Sequence, residues 1–354
     1  MADLFAARDP LLAFLEWCMM AMLAQCSSEW RTTVRAHLAH TSSICLDGTN
    51  LITTTEASRQ ARREREPAAA QALTACENLR SIVLKDLWRL RDDNVRSIVE
   101  SCPLLVDFRC DACVRLTDAS LQALAGLGHI CRVDLGGSPS LTDVGVIDLV
   151  ISRGSQLELL VFFDSYHFSD QVLRAIGRHC PRLQQASFGD REGFHNDAPY
   201  NFNDEGVRAL AEGCSALRHV DLRQHSKVGD VGVAALAMHC PRLEQVDLTD
   251  SCITDSGLEN LLKRRALKTL SLWGCKSVTD GGLEAIVRHG RSLTHLDISF
   301  CSSVTLQGID QLEAGCKGLK HLDKYDAGPL PEVTEEQLQR IMAAGPPPVL
   351  ADYI

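Results

Sequence analysis

The sequence predicts an α/β solenoid, in which short strand–turn–helix units stack side by side to form one parallel sheet lined by helices. Three observations support this fold class. Segment 266–290 joins the two-residue apolar period of a strand to the 3.6-residue period of a helix. Similar segments follow one another at nearly constant spacing, and each places leucines and cysteines at the same positions.

Segment 266–290 shows how one unit is built. Its strand half carries Leu267, Leu270 and Leu272 and is followed by Cys275. Its helix half carries one aliphatic stripe, on Leu283, Ile286 and Val287. Thr279 supplies the side-chain oxygen that caps a helix, and Asp280 places negative charge at the positive end of the helix dipole. One unit is therefore predicted to be a strand, a turn and a capped helix.

The same unit recurs ten times, at intervals of about 26 residues. The units begin at Cys76, Cys102, Leu127, Gly154, Cys180, Cys214, Cys240, Arg264, Gly290 and Cys316. The pattern L-x-x-L-x-L-x-x-C at this period is the signature of a leucine-rich repeat, whose units stack because one alone buries too little apolar surface to fold. We expect a leucine-rich-repeat solenoid (horseshoe) over residues 76–345, with an inner parallel sheet and outer helices.

Nine of the fifteen cysteines are placed by the repeat, because they begin a unit or close its strand: Cys76, Cys102, Cys180, Cys214, Cys240 and Cys316, and Cys113, Cys275 and Cys301. They are interpreted as small buried thiols and not as disulfide partners, as in a reducing compartment. Cys110 and Cys113 form a C-x-x-C pair. Both positions belong to the repeat, so no redox or zinc site is expected there.

The formal net charge of −10 favours neutral or basic partners and argues against a nucleic-acid surface. Residues 11–26 are the most hydrophobic run. This run contains Glu16 and is shorter than the roughly 20 apolar residues of a membrane span. No basic segment precedes it, as a signal peptide requires. We therefore expect a protein partner, no nucleic acid, no membrane, and a cytoplasmic or nuclear location.

The apolar run 11–26 and the Trp30-Arg31 pair that follows predict a head of short helices over residues 1–40. This head resembles the F-box in its apolar positions and in the spacing between them, at Phe14, Leu15, Met20, Leu23 and Trp30. The resemblance implies that these residues bind a Skp-type adaptor and, through it, a cullin. The alternative is a helical cap on the end of the solenoid. Residues 41–75 are expected to form a capping unit with a first strand at 43–47, and residues 346–354 a C-terminal tail.

The repeats resemble the cysteine-containing leucine-rich repeats of F-box proteins and of the related antagonists of mitotic exit. This resemblance implies a substrate receptor of an SCF-type ubiquitin ligase, with the protein substrate on the concave face. No P-loop, G-x-S-x-G, H-E-x-x-H or G-x-G-x-x-G motif is present, so we expect no catalytic residue, cofactor or metal. The alternative is a scaffold of repeats without ligase contact, for instance in a cytoskeletal or axonemal complex.

Two segments mark the predicted concave face near its middle. Leu159, Val161 and Phe163 are expected to point out of the core as an apolar triplet. An insertion at 189–201 carries Phe194 and Tyr200. Either this loop covers the triplet as a structural lid, or the two form one binding patch.

The later repeats turn the concave face acidic and aromatic. Its predicted residues are His219, Asp221, Arg223, Asp247, Asp250, Trp273, His295, Asp297, Phe300, His321, Asp323, Tyr325 and Asp326. Aromatic anchors amid carboxylates favour a partner with basic and apolar side chains. Alternatively, the aspartates only bridge neighbouring strands. The histidine column is not expected to bind metal, because strands about 4.8 Å apart do not make the ligands converge.

Overall fold

The computed structural model describes residues 43–47, 78–85, 90–164, 167–189, 202–263 and 266–328. The chain divides into two compact units, Met1–Ser165 and Tyr166–Ile354. Each contains short parallel strands joined by helices, so the predicted leucine-rich-repeat solenoid, an α/β fold, is confirmed. In the part of the chain that is described, every helix is too short or too polar to cross a bilayer.

The described part of the first unit consists of strands β1 (Ser43–Asp47), β2 (Ser81–Lys85), β3 (Asp107–Asp111), β4 (Arg132–Asp134) and β5 (Leu159–Val161), with helices α1 (Asp92–Ser101), α2 (Asp118–Ala125) and α3 (Asp143–Arg153). The strands pair in parallel in the order of the sequence. The strand predicted at 43–47 is confirmed as β1, which pairs in register with β2.

The described part of the second unit consists of strands β6 (Gln185–Ser187), β7 (His219–Asp221), β8 (Gln245–Asp247), β9 (Thr269–Ser271), β10 (His295–Asp297) and β11 (His321–Asp323), with helices α4 (Asp170–His179), α5 (Asp204–Gly213), α6 (Asp230–His239), α7 (Asp255–Leu262), α8 (Asp280–His289) and α9 (Leu306–Gly315). Its strands also pair in parallel and in sequence order. Neighbouring helices pack against one another.

An aspartate at the start of one helix binds the cap of the next helix. Thr279 caps α8, as predicted. It also donates its N–H to Asp255 Oδ1 at 2.8 Å and its hydroxyl to Asp255 Oδ2 at 2.6 Å. The same pair of bonds joins Thr117 to Asp92, Thr142 to Asp118, Thr254 to Asp230 and Thr305 to Asp280. These carboxylates therefore join successive repeats, a role that the sequence did not predict.

Most of the repeat cysteines are buried thiols, as predicted for Cys102, Cys180, Cys214, Cys240, Cys275 and Cys301. Cys214 Sγ donates to the carbonyl of Cys180 at 3.2 Å, and Cys301 Sγ donates to the carbonyl of Leu272 at 3.1 Å. Burial raises the pKa of Cys180 to about 12 and that of Cys102 to about 11. The thiols therefore stay protonated and bind the backbone of the preceding repeat.

The prediction that Cys113 is a free thiol is wrong. Cys110 and Cys113 form a disulfide whose Cα atoms lie 6.0 Å apart, a usual separation for such a bond. Cys110 is in β3, and Ala112 turns the chain with a φ of 57°. This turn brings the second sulfur back to the first. The spacing alone did not reveal the bond, because both positions also fit the repeat.

Several predicted segments lie outside the described residues. They are the F-box-like head at 1–40, with Phe14, Leu15, Met20, Leu23 and Trp30, most of the capping unit at 41–75 with Cys76 after it, the loop residues Phe194 and Tyr200, and the tail at 346–354. The predictions made for them stay predictions.

Candidate protein-interaction surface

The sheet of the second unit has one face that belongs to the core and one that does not. Val220, Val246, Leu270 and Leu296 are buried core residues at the centres of their strands. Side chains alternate along a strand, so the residues on either side of each central residue lie on the opposite face, which we call the inner face. Strand register aligns the inner-face residues in two columns, with Gln185, His219, Gln245, Thr269, His295 and His321 in the first and Ser187, Asp221, Asp247, Ser271, Asp297 and Asp323 in the second.

A buried ion cluster occupies the inner face at β7 and β8. Arg223 Nη2 lies 2.6 Å from Asp221 Oδ2, and Arg223 Nε lies 3.5 Å from Asp247 Oδ2. The Asp221 and Arg223 side chains are almost fully buried, with exposed fractions of 3% and 6%. All three residues were predicted to bind substrate. The structure brings them together and binds them chiefly to one another, which leaves little of them for a partner.

The charge of this cluster is not balanced, because one guanidinium serves two carboxylates. Burial and the neighbouring charge of Asp221 together raise the pKa of Asp247 to about 7, although Arg223 opposes the shift. The Thr249 hydroxyl donates to Asp247 Oδ1 at 2.6 Å and lies 3.1 Å from Ser271 Oγ. Hydroxyl groups therefore continue the network from β8 towards β9.

His225 lies close to this cluster and was not singled out from the sequence. Its ring stacks on Phe202 with a centroid separation of 4.4 Å, and its Nε2 lies 3.4 Å from the carbonyl oxygen of Phe188. Burial lowers its pKa to about 4. His225 is therefore neutral at physiological pH and supports the turn after β7.

Three aromatic rings from successive repeats form a continuous row, which we call the aromatic ladder. The ring centroids of Trp273 and Phe300 are 4.8 Å apart, and those of Phe300 and Tyr325 are 5.4 Å apart. Tyr325 is 52% exposed, and the other two residues are half-buried. The structure thus brings together all three aromatic residues predicted for this face.

Phe300 occupies its place in the ladder with a strained backbone. Its φ is +58°, a left-handed conformation that is rare for a bulky side chain. Asp250 and Asp326 take the same conformation in neighbouring repeats, at φ 56° and 52°, and Gly274 takes it at φ 69°. Short polar residues or glycine suit this position better than phenylalanine does. Because backbone strain of this kind concentrates at functional sites, Phe300 is a strong candidate for a contact residue.

Carboxylates flank the aromatic ladder. Burial raises the pKa of Asp250 to about 6, and Lys276 opposes this shift. Burial also raises the pKa of Asp297, whose Oδ1 accepts the N–H of Ser299 at 2.8 Å. Asp323 is exposed and Asp326 is half-buried at the end of the described repeats. The surface around the ladder is therefore acidic, and part of its charge depends on pH.

Two of the three predicted histidines come together. The rings of His295 and His321 stack with centroids 4.6 Å apart, whereas His219 aligns with Gln185 and Gln245. Burial and the neighbouring His321 lower the pKa of His295. Within the described ranges, no group of three or more His, Cys, Asp or Glu residues is arranged to hold a metal ion.

The predicted apolar triplet lies in the first unit. Leu159, Val161 and Phe163 form one cluster with exposed fractions of 9%, 3% and 8%. The structure therefore buries these residues and does not present them as an open patch. The loop at 189–201 that could distinguish the two alternatives lies outside the described residues.

Comparisons with known proteins agree with this fold. A family model described as Leucine Rich repeat matches residues 213–237 and 239–262. The DNA repair protein rhp7 of Schizosaccharomyces pombe is 25% identical over 225 residues, which cover 62% of this chain and 35% of that protein. The chain thus spans about a third of the length of this relative.

A solved structure shows the same fold. The chain is similar to one chain of the crystal structure of the Rad7 and Elc1 complex in yeast, with a TM-score of 0.53 and 16% sequence identity. The similarity covers 91% of this chain and 88% of that chain. A likeness at this level of identity shows a shared leucine-rich-repeat architecture.

Proposed function

We propose that the chain is the substrate-recognition subunit of an SCF-type E3 ubiquitin ligase. In this proposal the N-terminal helices bind a Skp-type adaptor, which joins the chain to a cullin, and the inner face of the second unit binds a protein substrate. The chain itself performs no covalent chemistry, and its partners transfer ubiquitin. The observation that carries the proposal is the aromatic ladder amid carboxylates.

The ladder has the features of a protein-binding surface. A few residues supply most of the binding energy at a protein interface, and tryptophan and tyrosine are common among them, usually inside a polar rim. The half-buried Trp273 and Phe300 and the exposed Tyr325 provide such anchors, and the half-buried Asp250 and the exposed Asp323 provide negative charge around them. A substrate segment with apolar and basic side chains complements this surface.

The adaptor half of the proposal rests on other support. The F-box resemblance covers Phe14, Leu15, Met20, Leu23 and Trp30. A chain of the same fold occurs in a complex of Rad7 with Elc1, which is a precedent for binding of a second protein. The name of the rhp7 relative supports a role connected with DNA repair, and with it a nuclear location.

Capture of partners by the full-length chain tests the inner face. We expect Phe300→Asp to lose the proteins that the wild type binds, because aspartate fits the left-handed backbone, as at Asp250, but breaks the aromatic ladder. The matched control is Val231→Asp, which places the same charge on a side chain that is 58% exposed on helix α6. We expect at least about a ten-fold loss of affinity for Phe300→Asp, corresponding to about 1.4 kcal/mol, and little change for the control.

Two outcomes would contradict the proposal. Equal capture by the wild type and Phe300→Asp would show that partners bind elsewhere. Capture of cytoskeletal or axonemal assemblies, with no ubiquitin-ligase subunit among them, would favour the scaffold alternative.

A further inference from the structure

Cations collect along one edge of the second unit, away from the aromatic ladder. In each repeat, a short turn joins the end of one helix to the start of the next strand. In the described parts of these turns, the lysine and arginine residues are all exposed, at Arg182, Arg218, Arg242, Lys263, Lys268, Arg291, Lys317 and Lys320. We call this row the basic edge. Glu244 is the one acidic residue in the same described turns.

Strand register places these turns side by side. Arg218, Glu244 and Lys268 immediately precede β7, β8 and β9, which pair in register. Glu244 lies 2.6 Å from both Arg218 Nη1 and Lys268 Nζ. The hydrogen bond from Lys268 lowers the pKa of Glu244. One carboxylate thus serves two cations, so this group of three residues keeps a positive charge.

The turns enclose a shallow groove of about 640 Å³. Its lining residues are Arg218, Arg242, Glu244, Ala266, Lys268, Ser292 and Thr294. The groove offers guanidinium, ammonium and hydroxyl groups, and none of its lining residues is aromatic or a large aliphatic. The anchors of a protein interface are most often tryptophan, tyrosine and arginine in a well-packed pocket, and this groove has arginines but no aromatic side chain to pack with them. Phosphate oxygens, in contrast, are bound by arginine, lysine, serine and threonine.

The repeat fold does not require these cations. Cations near the C-terminal end of a helix complement the helix dipole. In the first unit, the described turn before β2 contains one exposed cation, Arg80, whereas the turns at 102–106, 126–131 and 154–158 contain no lysine or arginine, and one contains Glu158. Arg218, Lys268 and Lys320 also stand on the strand side of their turns, where the helix dipole is weakest. Neither the fold nor the dipole therefore accounts for the basic edge.

We infer that the basic edge binds the phosphodiester backbone of nucleic acid without reading its sequence. The net charge of −10 suggested the opposite because it averages two separate surfaces. The carboxylates concentrate on the inner face and at the helix starts, and the cations concentrate at the basic edge. This inference does not depend on the proposed adaptor or on the aromatic ladder, since neither includes a residue of this edge.

Binding of a fluorescent 30-base-pair DNA duplex of random sequence to the full-length chain, measured by anisotropy at 50 mM salt, tests the inference. The edge variant is Arg242→Glu with Lys320→Glu. The control is Arg174→Glu with Arg208→Glu, two exposed arginines on helices α4 and α5, which changes the net charge by the same amount. We expect the edge variant to bind about 10- to 100-fold more weakly, and its salt dependence to fall by about two phosphate contacts. The control should stay within about three-fold of the wild type, and thermal unfolding checks that both variants fold.

Three results would overturn the inference. The first is that the wild type fails to bind the duplex at 50 mM salt. The second is that the two variants lose affinity equally, which would mean that binding depends only on net charge. The third is that polyglutamate displaces the duplex as well as unlabelled DNA does at the same charge concentration, which would assign the edge to an acidic protein. Adaptor binding is measured separately, so failure of this inference is distinguishable from failure of the proposed function.

Discussion

At the scale of single residues, the acidic inner face consists of two kinds of carboxylate. Asp221 and Asp247 are buried and bound to Arg223, so they shape the surface. Asp323 is exposed and can meet a partner directly. The sequence predicts that all of them lie on one face, because the two-residue period of a strand determines the face on which each side chain lies. It does not distinguish the buried carboxylates from the exposed ones, because burial depends on the side chains of the neighbouring strands.

Asp247 makes stability depend on pH. An aspartate in the unfolded chain titrates near pH 4, and burial raises the pKa of Asp247 to about 7 in the folded chain. The folded state therefore binds the extra proton between these values, and stability falls as pH rises from about 4 to about 7. The pKa of His225 is lowered to about 4, so this residue has the opposite effect and makes stability rise with pH between about 4 and its usual pKa. The raw pH profile thus combines both groups.

The variant Asp247→Asn isolates the contribution of this carboxyl. We expect the free energy of unfolding of the wild type, minus that of the variant, to decrease by about 3 to 4 kcal/mol between pH 4 and pH 7.5, since each unit of pKa shift corresponds to about 1.4 kcal/mol. Urea unfolding at several pH values measures it, and the His225 contribution cancels in the difference. A constant difference across this range would show that Asp247 titrates normally in the folded chain.

At the scale of elements, the repeat depends on contacts between units that lie about 26 residues apart in sequence. The Asp255 carboxylate accepts two hydrogen bonds from Thr279, and hydrogen bonds to a charged group contribute more than neutral ones. We expect Asp255→Ala to lower the free energy of unfolding by about 2 kcal/mol. The control is Asp310→Ala, on an exposed residue of α9, which should change stability by less than about 0.5 kcal/mol. Equal effects in urea unfolding would mean that the bridge adds nothing.

The repeat cysteines give a second test at this scale. Burial raises the pKa of Cys240 and of Cys275 to about 12, and alkylation requires an exposed thiolate. We expect these thiols to be modified only when the protein unfolds. Among the described cysteines, Cys252 is exposed and should react faster than these buried thiols, so Cys252→Ser removes its contribution to the fast phase. Rapid native-state modification of the buried cysteines, followed by mass spectrometry of the peptides, would contradict the packing described here.

The strands and helices were largely predictable, because the same sequence pattern recurs in each repeat. The Thr279 cap and the β1 strand at 43–47 followed from local residue types. The bridge between Asp255 and Thr279 was missed, although the recurring pattern Thr-Asp-x-Gly carries a signal for it. A Cβ atom at Gly282 would lie 2.6 Å from Asp255 Oδ1, so glycine leaves room for the carboxylate. The Cys110–Cys113 disulfide was missed because the repeat frame gave both cysteines another explanation.

At the scale of the molecule, the second unit presents two chemically different surfaces. The inner face joins aromatic rings to carboxylates, and the basic edge joins cations to hydroxyl groups. Composition could not predict this division, since the net charge sums both surfaces. The register of parallel strands creates it, because residues at equivalent positions of successive repeats become neighbours.

Binding of a Skp-type adaptor to the full-length chain tests the proposed ligase role most directly. The measurement is size-exclusion chromatography of the purified chain with the adaptor, comparing the wild type, Phe14→Ala with Leu15→Ala, and the control Val231→Ala on exposed α6. We expect a stable complex for the wild type and the control. We expect at least about a ten-fold weaker complex for the double variant, because two apolar anchors are removed. Separate elution of the wild-type chain and the adaptor, or an undiminished complex with the double variant, would contradict the proposed ligase role.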